Sequence, residues 1–307
     1  MKPEVLPYLR CPICGQQVES GTAQPGAGDF LAHRPASRAA RVLRCPRGHV
    51  FDIARQGYVN LSAGRAPQTG DSAEMVAARE EFLAAGHYDF VSTAVRADVV
   101  RQAARIGAAV PDRPGPAPML LVDAGAGTGR HLAVALDALP AAVGLALDAS
   151  KPALRRAARV HPRASAVLCD TWRTLPLADR SAALLLNIFA PRNGPEFHRV
   201  LRPDGALLVV TPAADHLQEL VERFSLLRVD PAKTDRVAES LGDRFRPTSQ
   251  SLHERRLMLS RRDVRTLIAM GPSAWHTDPV RLGEQIAVLP EPVTVTASIR
   301  LAVYRPA

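Results

Sequence analysis

One stretch limits what this chain can fold into more than any other: Met119-Leu-Leu-Val-Asp-Ala-Gly-Ala-Gly-Thr-Gly-Arg130. Met119 to Val122 are uninterrupted apolar residues, the pattern of a strand covered on both faces in a parallel sheet. The strand ends on Asp123. Gly125, Gly127 and Gly129 follow at alternate positions, and His131 to Leu139 reads as a helix. Glycine turns sharply and lets a ligand approach the backbone without a Cβ in the way. The start of a helix adds unpaired N–H groups and partial positive charge. Strand, turn and helix together predict an α/β sheet with a nucleotide-like ligand at the carboxyl ends of its strands.

The spacing narrows the choice of ligand. A dinucleotide fingerprint counted from Gly125 requires Gly or Ala where this chain has Arg130, and no Lys-Ser or Lys-Thr completes a phosphate loop. A nicotinamide enzyme is therefore the weakest alternative. The pattern D-x-G-x-G-x-G resembles motif I of the Rossmann-like (class I) methyltransferases that bind S-adenosylmethionine. That resemblance places Asp123 near the methionine end of the cofactor and Gly125, Gly127, Thr128 and Gly129 in the loop around it. A second acid closes the next strand, where Val143 to Leu147 runs into Asp148. A carboxylate suits a ribose diol because it accepts one hydrogen bond from each hydroxyl. The resemblance also puts an adenine contact just after the third strand, Ala164 to Leu168, where Asp170 is the candidate.

A second signal lies near the N-terminus. Three of the four cysteines sit there, in Cys11-Pro-Ile-Cys14-Gly and Cys45-Pro-Arg-Gly-His49. Each pair is close enough for one turn to aim both ligands at one ion. Three thiolates and one imidazole form the closed tetrahedral set of structural Zn²⁺, with no position left open for catalysis. Residues 1–61 are thus expected to form a small zinc module whose metal carries its folding. Residues 15 to 44 read as a loop rich in Gly, Ala, Pro and Arg. The chain holds 39 Lys plus Arg against 30 Asp plus Glu. Arg34, Arg38, Arg41, Arg44, Arg47 and Arg55 cluster around the second knuckle, as a surface for RNA phosphates or as plain solvated cations. No signal-peptide-like start and no apolar run of roughly 18 residues is present, so a cytoplasmic protein is expected.

The words between these signals match one family. After the two knuckles come Phe51-Asp52-Ile53-Ala54-Arg55-Gln56-Gly57-Tyr58-Val59-Asn60-Leu61, Gly70-Asp71-Ser72-Ala73-Glu74-Met75 and Ala85-Gly86-His87-Tyr88. Asp148-Ala149-Ser150-Lys151, Leu201-Arg202-Pro203-Asp204-Gly205 and Thr211-Pro212 continue the series. In this order they resemble the bacterial 23S rRNA guanine-N1 methyltransferases of the RlmA type over nearly the whole chain. Asn187 to Asn193 and Met270 to His276 look most like the actinomycete branch that confers resistance to tylosin- and mycinamicin-type macrolides. The resemblance implies methyl transfer from S-adenosylmethionine to N1 of a guanine in a 23S rRNA hairpin loop. It implies no DNA or membrane partner, and suggests a homodimer. It sets Tyr88 and His216 against the cofactor.

Asn187 and Phe189 follow the fourth strand, Ala182 to Leu186, where related enzymes grip a flipped base. Asn187 is placed to pair with a guanine edge and Phe189 to stack on it; the alternative is a strand-end Asn capping the next helix and a core Phe. No residue identifies itself as the base that takes the N1 proton. The expected architecture is an N-terminal zinc module (1–61), a linker with helices bordering the cofactor (62–117) and a methyltransferase domain (118–307) with a mostly parallel, seven-stranded sheet. Within the linker, Asp71 with Glu74 three residues on reads as a helix start. Residues 225 to 247 read as irregular. Two other functions fit parts of the pattern. A small-molecule methyltransferase needs the cofactor residues but not the zinc module, and a non-catalytic zinc-ribbon adaptor needs the reverse.

Overall fold

The apolar runs ending on Asp123, Asp148 and Leu168 become neighbouring strands in the middle of one sheet. The computed structural model describes residues 1–22, 41–64, 70–109, 118–227, 233–271 and 278–307. The N-terminal part holds strands β1 (Glu19–Thr22), β2 (Arg41–Arg44), β3 (Val50–Asp52) and β4 (Tyr58–Asn60). Helices α1 (Ala73–Ala84) and α2 (Asp89–Ala109) lead to β5 (Met119–Ala124), α3 (Arg130–Ala138), β6 (Ala142–Asp148), α4 (Lys151–Ala157) and β7 (Ala164–Leu168). Then come β8 (Ala182–Ile188), α5 (Gly194–Val200), β9 (Leu201–Pro212), α6 (Gln218–Phe224) and α7 (Lys233–Leu241). The chain closes with β10 (Phe245–Leu259), α8 (Arg261–Ala269), α9 (Pro279–Ala287) and β11 (Val293–Pro306).

The large sheet has eight strands in the order β10-β11-β9-β8-β5-β6-β7-β4. Strands β9 to β4 in that order run parallel, and β11 is antiparallel to both β9 and β10. Alternate residues of the central strands enter two cores. Leu121 and Ala146 pack with α2, α3 and α4 on one face; Leu120, Val122 and Leu145 pack on the other. Each such buried aliphatic side chain contributes roughly 1.5–3 kcal/mol. The first strand of the fold, β5, lies between β6 and β8, so the chain leaves it in both directions, and a crevice opens beyond the carboxyl ends of these strands.

The expected strand count of seven is corrected to eight. The extra strand is β4, which comes from the zinc-binding part and pairs parallel with β7 through Tyr58↔Ala166, Val59↔Val167 and Asn60↔Leu168. Three residues are too few to show a period, and the pairing spans a hundred residues of chain. The N-terminal segment is also built into this sheet. Val5 and Leu9 are fully buried in its second core, Tyr8 Oη donates to the carbonyl of Pro118 (2.8 Å), and the backbone N–H of Arg10 donates to Pro176 (3.0 Å). The zinc knuckles thus hang between two anchored segments.

Two local expectations also change. Ser72, not Asp71, caps α1, its hydroxyl accepting from the backbone N–H of Met75 (3.2 Å), because the Asp71 carboxylate is engaged by Arg79. The stretch expected to be irregular contains α7 and the start of β10. The proline-rich run from 111 to 117, the arginines Arg34 and Arg38 and residues 272–277 lie outside the described residues.

Candidate functional site

The three glycines of the central turn all have positive φ: 84° at Gly125, 54° at Gly127 and 80° at Gly129. Gly125 and Ala126 donate their N–H groups to the carbonyl of Leu147 (2.8 and 3.0 Å), which fastens the turn to the end of β6. A Cβ on Gly125 would stand 2.3 Å from the Ala190 Cβ. Gly125→Ala therefore combines a left-handed backbone, costing about 1–2 kcal/mol, with overpacking of about 1–3 kcal/mol. Urea unfolding is expected to show a total loss of roughly 2–5 kcal/mol; an unchanged midpoint would mean that the turn has room to spare.

Behind the turn lies a cavity of about 780 Å³. Its floor is the glycine loop with Thr128. Asp148, Asp170, Tyr88, His216 and Phe189 also line it, with Asp71 from the segment that precedes α1 and Arg79 from α1 itself. Asp148 accepts a backbone N–H on each oxygen, from Gly127 on Oδ2 (2.8 Å) and from Ser150 on Oδ1 (2.7 Å). Burial holds its carboxyl above the usual range against the pull of those two donors. Each oxygen keeps a second lone pair, so the group can still accept two hydroxyls. Asp170 accepts from the backbone N–H of Trp172 (3.0 Å) and faces Arg173 (3.4 Å).

Asp123 is 2% exposed, and its Oδ1 has no hydrogen-bond partner among the described residues. Burial, with Asp148 adding to it, pushes the carboxyl up to about 8. An orphaned acid oxygen facing a cavity is a place for a ligand cation or N–H. The shift makes a pH prediction. The folded chain holds this proton between about pH 4 and 8 while the unfolded chain has lost it, so stability is full below pH 4 and declines as pH rises toward 8. Asp123→Asn removes that decline. Thermal melts of the ligand-free protein are expected to show the variant gaining on the wild type from pH 5 to 8, by an amount equivalent to a few kcal/mol, on the order of 1.4 per unit of pH. A constant difference across that range would refute a neutral Asp123.

Tyr88, at the head of α2, is 5% exposed, and its hydroxyl meets His216 Nε2 at 3.1 Å. His216 Nδ1 in turn lies 2.8 Å from the carbonyl oxygen of Ser298 on β11. Phe189 has a left-handed φ of 51°, which turns its ring out of the sheet; it is 41% exposed and stands 6.1 Å from Tyr88 and 6.0 Å from His216, centre to centre.

Asn187 departs from expectation. It is fully buried within β8, and its Nδ2 donates to the carbonyls of Ala124 (3.1 Å) and Pro191 (2.8 Å). It pins the loop that carries Phe189 instead of facing the cavity. The strand continues two residues past the expected end at Leu186, so Asn187 lies within the sheet, paired with Val209 of β9. Sequence reasoning missed Arg79, whose guanidinium joins Asp71 to the carbonyl of Met270 (2.9 Å); a lone arginine on a helix carries no signal of this.

The second site is the cysteine cluster. Cys11, Cys14, Cys45 and His49 offer ligand atoms all within 4.8 Å of one another. Tetrahedral zinc with bonds of about 2.3 Å to sulfur and 2.0–2.1 Å to nitrogen sets the ligands about 3.5–3.8 Å apart. Cys14 and Cys45 sulfurs are 3.6 Å apart, and His49 Nδ1 is 3.5 Å from Cys11 and 3.3 Å from Cys45. The knuckle glycines Gly15 and Gly48 take φ of 72° and 83°, which lets each N–H turn back onto the carbonyl of Cys11 or Cys45 (2.9 and 3.0 Å). The set fits a structural zinc ion. Arg41, Arg44, Arg47 and Arg55 are exposed nearby. No described helix is long and apolar enough to cross a membrane.

Residues 31–62 match the zinc-ribbon family model described as RlmA, N-terminal. Over its full length the chain is 63% identical to the full length of a Micromonospora griseorubida protein with the inferred name 23S rRNA (guanine-N1)-methyltransferase. It is 46% identical, over all of itself and 99% of the relative, to the 23S rRNA (guanine(748)-N1)-methyltransferase of Streptomyces fradiae. YxjB of Bacillus subtilis strain 168, also named by inference as a 23S rRNA (guanine-N1)-methyltransferase, is 28% identical over 89% of each chain.

Proposed function

The chain belongs to the bacterial 23S rRNA (guanine-N1)-methyltransferases, and on that premise we propose that its cavity takes S-adenosylmethionine and that the methyl group goes to N1 of a guanine in a 23S rRNA hairpin loop. The observation that carries the cofactor assignment is Asp148, held by two backbone N–H groups with a lone pair left on each oxygen for the ribose diol. Gly125, Gly127 and Thr128 line the wall below it, Gly129 packs behind them against Ala157 and Val160, and the orphaned Asp123 oxygen answers the polar end of the methionine moiety. Asp170 is the acceptor for the adenine amine. Tyr88 and His216 form the wall toward the reacting methyl. The sulfonium supplies an activated methyl group, so the residues mainly align donor and acceptor.

N1 lies on the Watson–Crick edge, so the guanine must be unpaired or flipped out, as hairpin-loop bases can be. Phe189, half-exposed at the cavity mouth, is placed to stack on it. Trp172, 66% exposed, borders both this cavity and a groove lined by Arg10, Pro12 and Arg173 at the first zinc knuckle. An aromatic rim with arginines beyond it suits unpaired nucleotides and their phosphates. We assign RNA docking to this zinc-bound part of the chain. Methylation there is expected to weaken macrolide binding.

The test is incubation with labelled S-adenosylmethionine and unmethylated 23S rRNA, followed by primer extension. A methyl on N1 blocks pairing, so one polymerase stop in one hairpin loop is the expected result. No stop from protein that still binds the cofactor product would overturn the rRNA assignment.

A further inference from the structure

Methylation of guanine N1 requires that N1 lose a proton, and the site carries one chain of groups able to take it. Tyr88 Oη, His216 Nε2, His216 Nδ1 and the carbonyl of Ser298 follow one another at 3.1 and 2.8 Å, with the Ser298 N–H 3.2 Å from the same Nδ1. With the imidazole proton on Nδ1 donated to the closer carbonyl, Nε2 is the acceptor for the Tyr88 hydroxyl. The Ser298 backbone fixes the ring plane, its carbonyl and its N–H both facing Nδ1, and the relay uses the tautomer in which the carbonyl takes the Nδ1 proton. Tyr88 lines the cavity, and Phe189 stands against both rings.

We propose that Tyr88 and His216 form the proton-accepting relay for guanine N1. The N1 proton moves to Tyr88 Oη as the hydroxyl proton moves to His216 Nε2. The N1 lone pair forms the bond to the methyl carbon, and the carbon–sulfur electron pair stays on sulfur. One methylated guanine, one neutral thioether and one imidazolium result, and the imidazolium returns its proton to water. Concerted transfer matters because burial makes a free tyrosinate at position 88 unfavourable.

The other charged groups around the cavity are committed elsewhere. Asp148 accepts from Gly127 and Ser150, Arg79 pairs with Asp71, and Arg130 pairs with Asp89. His131 meets the Ser92 hydroxyl, Glu219 holds Thr296, and Asp170 faces Arg173. Asp123 retains its own proton up to about pH 8 and is a poor acceptor below that.

The inference rests on the guanine-N1 reading above. Its test compares wild type, Tyr88→Phe and His216→Asn by kcat for rRNA methylation from about pH 6.5 to 9.5, with S-adenosylhomocysteine affinity measured by calorimetry. A relay predicts that Tyr88→Phe keeps the affinity within about threefold and loses about 100-fold or more in kcat at pH 7. The gap narrows as pH rises, because guanine then loses its N1 proton to solvent unaided. An equal loss at every pH, or a loss confined to affinity, overturns the relay. Wild-type protein that forms no 1-methylguanosine defeats the functional reading, whereas wild-type methylation with a pH-independent loss in the variants defeats the relay alone.

Discussion

Asp148→Ala is expected to lose at least about 100-fold in affinity for S-adenosylhomocysteine and to leave no measurable methyl transfer. Each hydrogen bond from a ribose hydroxyl to a carboxylate contributes about 1.5–3 kcal/mol, and about 1.4 kcal/mol is a factor of ten in affinity. Two such bonds are at stake. The same substitution also frees the Gly127 and Ser150 N–H groups, so the loop loses its fastening as well as its acceptor. Asp148→Asn separates the two effects. An amide keeps the size and one acceptor oxygen but presents an NH₂ to one of the two backbone donors. Calorimetry with S-adenosylhomocysteine and a thermal melt of each variant are the measurements. A melting point near wild type with affinity gone places the role in binding. Unchanged affinity in Asp148→Ala would remove the acid from the cofactor site.

The second large effect concerns the metal. Cys45→Ser, or a strong chelator, is expected to release one zinc ion per chain and to abolish rRNA methylation. Structural zinc of this ligand type carries about 10 kcal/mol or more of folding free energy. The small β1–β3 sheet buries little else: among the described residues, Val42 and Leu43 are its fully buried apolar residues, with Val18 just before it. Val18 and Leu43 share the core on one face of the central strands, but the other face packs on α2, α3 and α4 without the knuckles, so S-adenosylhomocysteine affinity should change by less than about tenfold, a contrast with Asp148→Ala. Metal analysis, cofactor calorimetry and rRNA methylation on the same sample check the prediction. Full methylation of metal-free protein would show that the knuckles play no part in docking RNA.

What the sequence revealed was local. The glycine turn was legible because glycine at alternate positions after an apolar run has few other uses, and all three glycines there have positive φ. The zinc ligands were legible because two knuckles with matched spacing are rare by chance, and the four ligand atoms converge. What stayed hidden depends on distant pairing. Strand β4 is three residues long and is defined by β7, more than a hundred positions away. The N-terminal segment looked like part of a free module, yet Val5, Leu9 and Tyr8 build it into the main sheet. Asn187 was misplaced because β8 runs two residues past its apolar run, so the side chain stays within the sheet, where it donates to the carbonyls of Ala124 and Pro191. His216 came from family resemblance alone; its link to Tyr88 through 128 positions of chain is visible only in the fold.

This cavity is expected to deliver a methyl group to guanine N1 of 23S rRNA. The most direct test is mass spectrometry of nucleosides from unmethylated 23S rRNA treated with the zinc-loaded protein and S-adenosylmethionine. The predicted result is 1-methylguanosine as the sole new nucleoside, approaching one per rRNA and absent with Asp148→Ala. Methyl groups on another guanine atom, on another base, or on a small molecule with the rRNA untouched would contradict it.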